Sequence, residues 1–122
     1  MSFRNAKVGL GPSFSFKGID NRTYYITEKD PRYYANYTGC GNTFNCNHHI
    51  VGKLILDCLR YWVRETHVDG FRFDEGSILA RGEDGDPLRQ PPIVWQIELD
   101  DELADSKLIA EAWDAAGLYQ IG

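Results

Sequence analysis

The chain has only three cysteines and no long apolar run. These two features argue against a disulfide-rich protein and against a membrane-spanning one. Three cysteines in 122 residues are too few for a disulfide-built scaffold, and their odd number favours a reducing compartment. No apolar stretch approaches the roughly 18 residues of a membrane span, so no membrane partner is expected. Basic residues near Met1 are not followed by an apolar core, so we expect no signal peptide and a cytoplasmic location.

Negative charges outnumber positive charges, with 18 acidic and 13 basic residues. The formal net charge is −5, and the lysines and arginines form no cluster, so a nucleic-acid partner is not expected. The remaining composition is ordinary for a soluble globular protein. The length fits one domain with a modest core.

The cysteines raise the question of a metal. Cys40 and Cys46 lie near His48 and His49, which leaves a zinc site open as an alternative. Their spacing matches no recognised zinc pattern, and we expect no metal and no cofactor. Cys58 lies on an apolar helical stripe and is predicted to be a core thiol.

The first 49 residues have the composition of a long loop. Glycine, proline and asparagine dominate this region, and so long a loop within a compact domain is usually functional. Its aromatic residues are predicted mainly to anchor the loop, with stacking on a flat ligand as the alternative. They are Phe14, Phe16, Tyr24, Tyr25, Tyr33, Tyr34, Tyr37 and Phe44.

Regular elements are predicted after this loop. Apolar residues recur at helical spacing over 50–66, and a short strand is predicted over 67–74. A polar loop over 81–91 leads to a helix that begins at Pro91–Pro92 and runs to about Leu103. A second strand, over 107–113, has the apolar density of a strand covered on both faces. The order indicates an α/β fold with parallel strands.

Each predicted strand ends near a carboxylate. Arg72 and Asp74 share one face of the first strand because side chains alternate, and a neighbouring guanidinium keeps a carboxylate ionised. Glu111 lies in the second strand among alanines and Trp113. Phe71 and Phe73, on the opposite face, are expected to pack under helices.

A carboxylate pair at neighbouring strand ends is what a retaining glycosidase requires, with the carboxyl groups about 5–5.5 Å apart. Asp74 suits the nucleophile, and Glu111, in its more apolar setting, suits the acid/base. Two alternatives stay open: strand-end acids that bind a metal, and a structural ion pair between Arg72 and Asp74.

Two segments resemble signatures of the α-amylase superfamily of glycoside hydrolases. They are His67-Val-Asp-Gly-Phe-Arg-Phe-Asp74 and Leu108-Ile-Ala-Glu-Ala-Trp-Asp114. The loop from Phe16 to Tyr25, the segment from Tyr37 to Asn45 and the helix from Leu56 to Val63 narrow this resemblance. Together they resemble the isoamylase-type glycogen and starch debranching enzymes.

The resemblance implies a hydrolase of α-1,6 branch linkages that acts on branched α-glucans such as glycogen and amylopectin. It implies a (β/α)8 TIM barrel, with these strands as about its fourth and fifth. Asp74 falls on the nucleophile and Glu111 on the acid/base. Arg72, Trp113 and Asp114 are expected to contact the substrate. A plant protein of this type is expected in the plastid, and oligomeric state stays open.

The match covers about Gly11 to Gly122 and leaves residues 1–10 unmatched. Two further signature segments of the family, one with a substrate-binding His and one with a third catalytic carboxylate, are not present. A barrel takes about 250 residues, so residues 1–122 are expected to be a fragment of the catalytic barrel domain. The alternative for the isolated chain is an inert fragment with at most weak glucan binding. Glu75-Gly76 replaces the Leu-Ala pair more usual after the nucleophile.

Overall fold

The computed structural model describes residues 15–120. The unmatched segment 1–10 and Phe14 lie outside the described residues. The elements in chain order are helix α1 (Asn21–Tyr24), helix α2 (His49–Thr66), strand β1 (Gly70–Phe73), helix α3 (Pro92–Glu98) and strand β2 (Lys107–Ala110). Short 3-10 helices span Phe16–Gly18 and Gly76–Ala80.

The long helix α2 agrees closely with the prediction over 50–66, and its ends explain the boundaries. At the N-terminus, His48 Nδ1 accepts a hydrogen bond from the Ile50 amide at 3.3 Å. At the C-terminus, His67 takes a left-handed conformation (φ 55°), and its amide donates to the carbonyls of Trp62 and Val63. His67 therefore closes the helix, which is why the strand begins only at Gly70 and not at residue 67.

The two strands pair in parallel, as predicted. Gly70 lies opposite Lys107, and Phe73 lies opposite Ala110. The second strand is shorter than the predicted 107–113. The prediction that it is covered on both faces is wrong for the described part of the chain, where Ile109 is 50% exposed.

The core lies between the sheet and the helices. Its buried residues come from the segment just before α2, from α2 itself, from the 3-10 helix after β1 and from α3 with the turn that follows it. Phe71 and Phe73 pack against this cluster, which confirms the prediction that they pack under helices. The buried members are Cys46, Leu59, Ile78, Ile93, Ile97 and Leu103.

The aromatic loop is held by contacts among its own rings. Phe16 stacks on Tyr24 with ring centroids 4.6 Å apart, and Tyr25 meets Tyr34 edge to face at 5.5 Å. Phe44 contacts Phe16, Tyr24 and Tyr25. These contacts support the anchoring interpretation for this set of rings.

Helix α3 starts where the two prolines predicted but ends earlier, at Glu98. Asp100, which the predicted helix to Leu103 would have included, lies beyond the end of α3 and is buried, at 8% exposed. Arg60 Nη2, from α2, donates to its carboxylate at 2.6 Å. This ion pair and a short turn replace the last predicted helical residues.

The cysteines also depart from the sequence pattern. The prediction that Cys58 is a core thiol is wrong: it is exposed, as are Tyr61 and Trp62 one turn later in α2. Cys46 is the buried thiol, and burial raises its pKa to about 12.

Among helices in residues 15–120, none is both long and apolar enough to cross a membrane.

Candidate active site

The two predicted catalytic carboxylates lie beside each other at the C-terminal end of the sheet. Asp74 directly follows β1, and Glu111 directly follows β2. The Glu111 amide donates to the Phe73 carbonyl at 3.0 Å, which continues the ladder by one residue. Parallel pairing therefore brings Asp74 and Glu111 to one edge, with side chains 83% and 25% exposed.

Arg72 contacts both carboxylates. Its Nη1 lies 2.8 Å from Asp74 Oδ1 and its Nη2 lies 3.1 Å from Glu111 Oε1. The Arg72 guanidinium, which donates to Asp74, holds the pKa of that carboxyl below its usual range. Asp74 thus stays ionised at neutral pH, as a nucleophile requires.

Glu75 makes a further contact that the sequence pattern did not predict. It has a left-handed backbone (φ 46°, ψ 49°), an uncommon conformation for a residue with a Cβ. In this conformation its amide donates to Glu111 Oε2 at 2.9 Å. Glu111 is therefore held on one oxygen by Arg72 and on the other by the Glu75 amide. Burial raises the pKa of the Glu75 carboxyl itself.

Gly76 follows at the start of the 3-10 helix and packs directly on β2. A Cβ built on Gly76 would lie 2.9 Å from the Ala110 Cβ and 3.3 Å from the Glu111 carbonyl oxygen. Glycine is thus required here by the close approach of two backbones. The Glu75-Gly76 pair in the sequence is the signal from which this packing could have been found.

The two remaining predicted site residues differ in accessibility. Trp113 is 37% exposed, so its ring is open to solvent and its role in substrate contact stays a prediction, as does that of Arg72. Asp114 is 1% exposed. Its Oδ2 accepts from Arg81, and its Oδ1 accepts from the Ala116 and Leu118 amides. Because both oxygens are occupied and buried, direct substrate contact by Asp114 is not supported by its surroundings.

The alternative of a metal site finds little support. Among residues 15–120, no group of three or more His, Cys, Asp or Glu side chains is placed to hold a metal ion. Cys46, one of the proposed zinc ligands, is buried with a raised thiol pKa, which opposes the thiolate form that zinc binds. Arg72 also lies between the strand-end acids, where a cation would otherwise lie.

Comparison with known proteins shows which proteins this chain is similar to. No family model matches the chain. Isoamylase 1, chloroplastic, of Oryza sativa subsp. japonica is 53% identical over 131 residues, covering 92% of this chain and 16% of the rice protein. The glycogen debranching enzyme of Klebsiella pneumoniae subsp. pneumoniae is 48% identical over 121 residues, covering 97% of this chain and 18% of that enzyme. This chain is homologous to a segment of the isoamylase-type debranching enzymes.

A solved structure supports the α/β architecture of this isoamylase-type segment. Pullulanase from Bacillus acidopullulyticus aligns with a TM-score of 0.59 at 31% identity, covering 88% of this chain and 12% of the pullulanase chain. The chain thus spans less than a fifth of the length of the proteins compared here. Within that span it carries the carboxylate pair and the arginine that joins the pair.

Proposed function

We propose that the protein carrying this chain is a glycosidase that cleaves α-1,6-glucosidic branch linkages in glycogen- or starch-type glucans by a retaining mechanism. The observation that carries the proposal is the Arg72 guanidinium, 2.8 Å from Asp74 and 3.1 Å from Glu111. Carboxylates that share one guanidinium are close enough for the roughly 5–5.5 Å separation of retaining enzymes. The names of the plant and bacterial relatives supply the substrate class.

The different environments of the two carboxylates support a different role for each. Asp74, exposed and held ionised by Arg72, attacks the anomeric carbon and forms a glycosyl-enzyme. Glu111 is less exposed, and Arg72 and the Glu75 amide orient its carboxyl group. In its protonated form it donates the proton to the leaving oxygen, and the carboxylate formed then accepts a proton from the attacking water. Arg72 holds the two carboxyl groups next to each other. The solvent-exposed ring of Trp113 provides a surface on which a sugar ring can stack.

The fold proposal follows the same evidence. We place β1 and β2 as neighbouring strands, about the fourth and fifth, of a (β/α)8 barrel, with residues 1–122 within its catalytic domain. The parallel pairing, the helices beside it and the pullulanase alignment support this placement. Catalytic side chains at the C-terminal ends of strands agree with it, because barrel active sites lie at that face.

We also place the protein in the cytoplasm, or in the plastid of a plant, since its plant relatives are named chloroplastic.

The test uses the complete polypeptide that carries this sequence, with Asp74→Asn and Glu111→Gln. Both variants should lose at least about 10³-fold in the release of linear chains from amylopectin, since each removes a reacting group. Asp69→Asn is the control, because it changes an exposed side chain on the approach to the same strand. The first product detected by proton NMR should carry the α-anomer. Full activity of Asp74→Asn, or a β-anomeric first product, would refute the assignment.

A second proposal concerns the 122-residue chain on its own, which we infer to be inert. Its small share of the relatives' length favours this. Incubation of the purified 122-residue chain with amylopectin tests this proposal. Clear release of linear chains would contradict inertness and leave the glycosidase assignment intact.

A further inference from the structure

We propose that Arg81 and Asp114 form a positioning clamp, the Arg81–Asp114 clamp, that fixes the segments after β1 and β2 relative to each other and so holds Glu111 for proton donation. The proposal rests on the proposed function. Neither residue touches the reacting groups. Each belongs to a segment that begins at one catalytic carboxylate: Arg81 ends the 3-10 helix that follows Asp74 and Glu75, and Asp114 follows Glu111 in the chain.

The ion pair of the clamp is buried. The side chains of Arg81 and Asp114 are 7% and 0% exposed, and Arg81 Nη2 lies 2.7 Å from Asp114 Oδ2. Arg81 Nε donates to the same oxygen at 2.7 Å. A buried ion pair often adds little net stability relative to apolar residues of the same volume. A geometrical role therefore explains its presence better than a general stabilising one.

Asp114 uses its other oxygen to build the turn beyond Glu111. Oδ1 accepts from the Ala116 amide at 3.0 Å and from the Leu118 amide at 3.1 Å. The Asp114 amide donates to the Leu118 carbonyl at 2.9 Å. One carboxylate thus fixes the whole turn over 114–118 and attaches it to Arg81.

Arg81 is fixed from three sides. Its Nη1 donates to the Gly85 carbonyl at 2.7 Å, and its guanidinium lies 4.1 Å from the centre of the Tyr37 ring. Asn47 Nδ2 donates to the Arg81 carbonyl at 2.6 Å. These contacts, which do not involve Asp114, give Arg81 a defined position. The planar guanidinium, with several N–H donors, is suited to bonding a carboxylate and a carbonyl at once.

The clamp adds a contact between the two segments at a distance from those made near Glu75, where the Ala115 backbone also bonds the Glu75 carboxyl and Gly76 packs on Ala110. The Glu75 amide itself bonds Glu111 Oε2, at 2.9 Å. The contacts near Glu75 lie close together, whereas the clamp holds the segments farther along the chain and so restricts their rotation about the Glu75 region. Without the clamp, we expect Glu111 to move from its position and to protonate the leaving oxygen less effectively.

The test compares two substrates with different needs for protonation, on the complete polypeptide. The variants are Arg81→Lys, which keeps the charge but loses the fork, and Asp114→Asn, which keeps the shape but loses the charge. The sugar that departs from amylopectin is a poor leaving group and needs a proton from Glu111. The fluoride ion that departs from α-maltotriosyl fluoride needs no protonation. We expect kcat/KM, which reports the steps up to the glycosyl-enzyme, to fall about 10- to 100-fold on amylopectin and less than about threefold on the fluoride.

Matched controls come from an exposed pair of the same chemistry. Arg32 and Asp30 form an ion pair at 2.6 Å with side chains 79% and 39% exposed, and Arg32→Lys and Asp30→Asn should leave both substrates unchanged. Thermal unfolding of each variant sets an assay temperature at which it is folded. Equal loss on both substrates, or loss on neither, would overturn the clamp. Misfolding of the single variants would show only that a buried unpaired charge is costly, so the double variant Arg81→Met with Asp114→Asn then takes their place, and an unchanged kcat/KM on amylopectin in it would overturn the clamp.

A second measurement separates this proposal from the proposed function. Hydrogen exchange followed by mass spectrometry should show faster exchange over 114–118 and 82–88 in the clamp variants than in the controls. If the wild-type protein hydrolyses neither substrate, the glycosidase assignment fails, while exchange still decides whether the clamp joins the segments. Unchanged exchange in both variants would refute the clamp even in an active enzyme.

Discussion

The close packing of Gly76 on β2 leads to a prediction for Gly76→Ala. A methyl group there would meet the Ala110 Cβ at 2.9 Å, whereas carbon atoms in good contact lie about 3.5–4.0 Å apart. The two segments must therefore separate by roughly 0.6–1.1 Å, the difference between these distances. Because the obstacle is the short side chain and backbone of a strand, no flexible group can move aside.

The consequence should appear mainly in activity. The Glu75 amide lies next to Gly76 and bonds Glu111 at 2.9 Å, so separation lengthens that bond and displaces the carboxyl. A displacement of about 1 Å at a reacting group costs on the order of 10²-fold in rate. The crowding itself costs about 1–3 kcal/mol of the free energy of unfolding. Initial rates on amylopectin and urea unfolding of the same protein measure the two effects.

Gly18→Ala provides the control, since within residues 15–120 no atom beyond Gly18 and its chain neighbours lies within 4 Å of a Cβ built there. It should change neither rate nor stability appreciably. If Gly76→Ala shows the same rate and unfolding free energy as Gly18→Ala, the close approach does not position Glu111 and the reasoning is refuted.

Two further predictions concern the nucleophile and the core. Because Arg72 holds the pKa of Asp74 low, Arg72→Met should raise that pKa, so that Asp74 is protonated at a higher pH and the acidic limb of kcat/KM moves to higher pH. Arg22→Met, at an exposed position, is the control, and an unmoved acidic limb contradicts the prediction. Leu103→Ala should lower the free energy of unfolding by about 2–5 kcal/mol, because Leu103 is 2% exposed. The matched change Leu99→Ala, at a side chain 73% exposed, should cost less than about 0.5 kcal/mol, and equal costs in urea titrations would place Leu103 outside the core.

Much of the fold followed from local patterns in the sequence. The helical periodicity of residues 50–66 fixed α2, and the two prolines fixed the start of α3. The parallel pairing of β1 with β2 followed from the order of elements. Local patterns did not predict where elements end, because backbone conformation and distant partners determine those ends. His67 closes α2 instead of opening a strand, and Asp100 is buried because Arg60, forty positions earlier in the chain, reaches it.

The candidate site shows the same division. Side-chain alternation placed Arg72 beside Asp74, and the pairing of strand ends placed Glu111 beside both. The contacts of Glu75 and Asp114 could not be predicted in the same way. Glu75 reaches Glu111 through its backbone amide, and no property of its side chain signals that. Asp114 looked like a second polar group at the strand end, but its partner Arg81 is 33 positions away.

The ring of Tyr37 beneath Arg81 has a consequence for how such proteins can be recombined. Tyr37 comes from the aromatic loop, while Arg81 and Asp114 belong to the segments that follow the strands. The loop is therefore not an independent module that could be exchanged between relatives to alter specificity. A chimera that imports the loop without a ring at this position would leave a guanidinium unsupported on one face. The natural unit of exchange runs from the aromatic loop through the turn after Glu111.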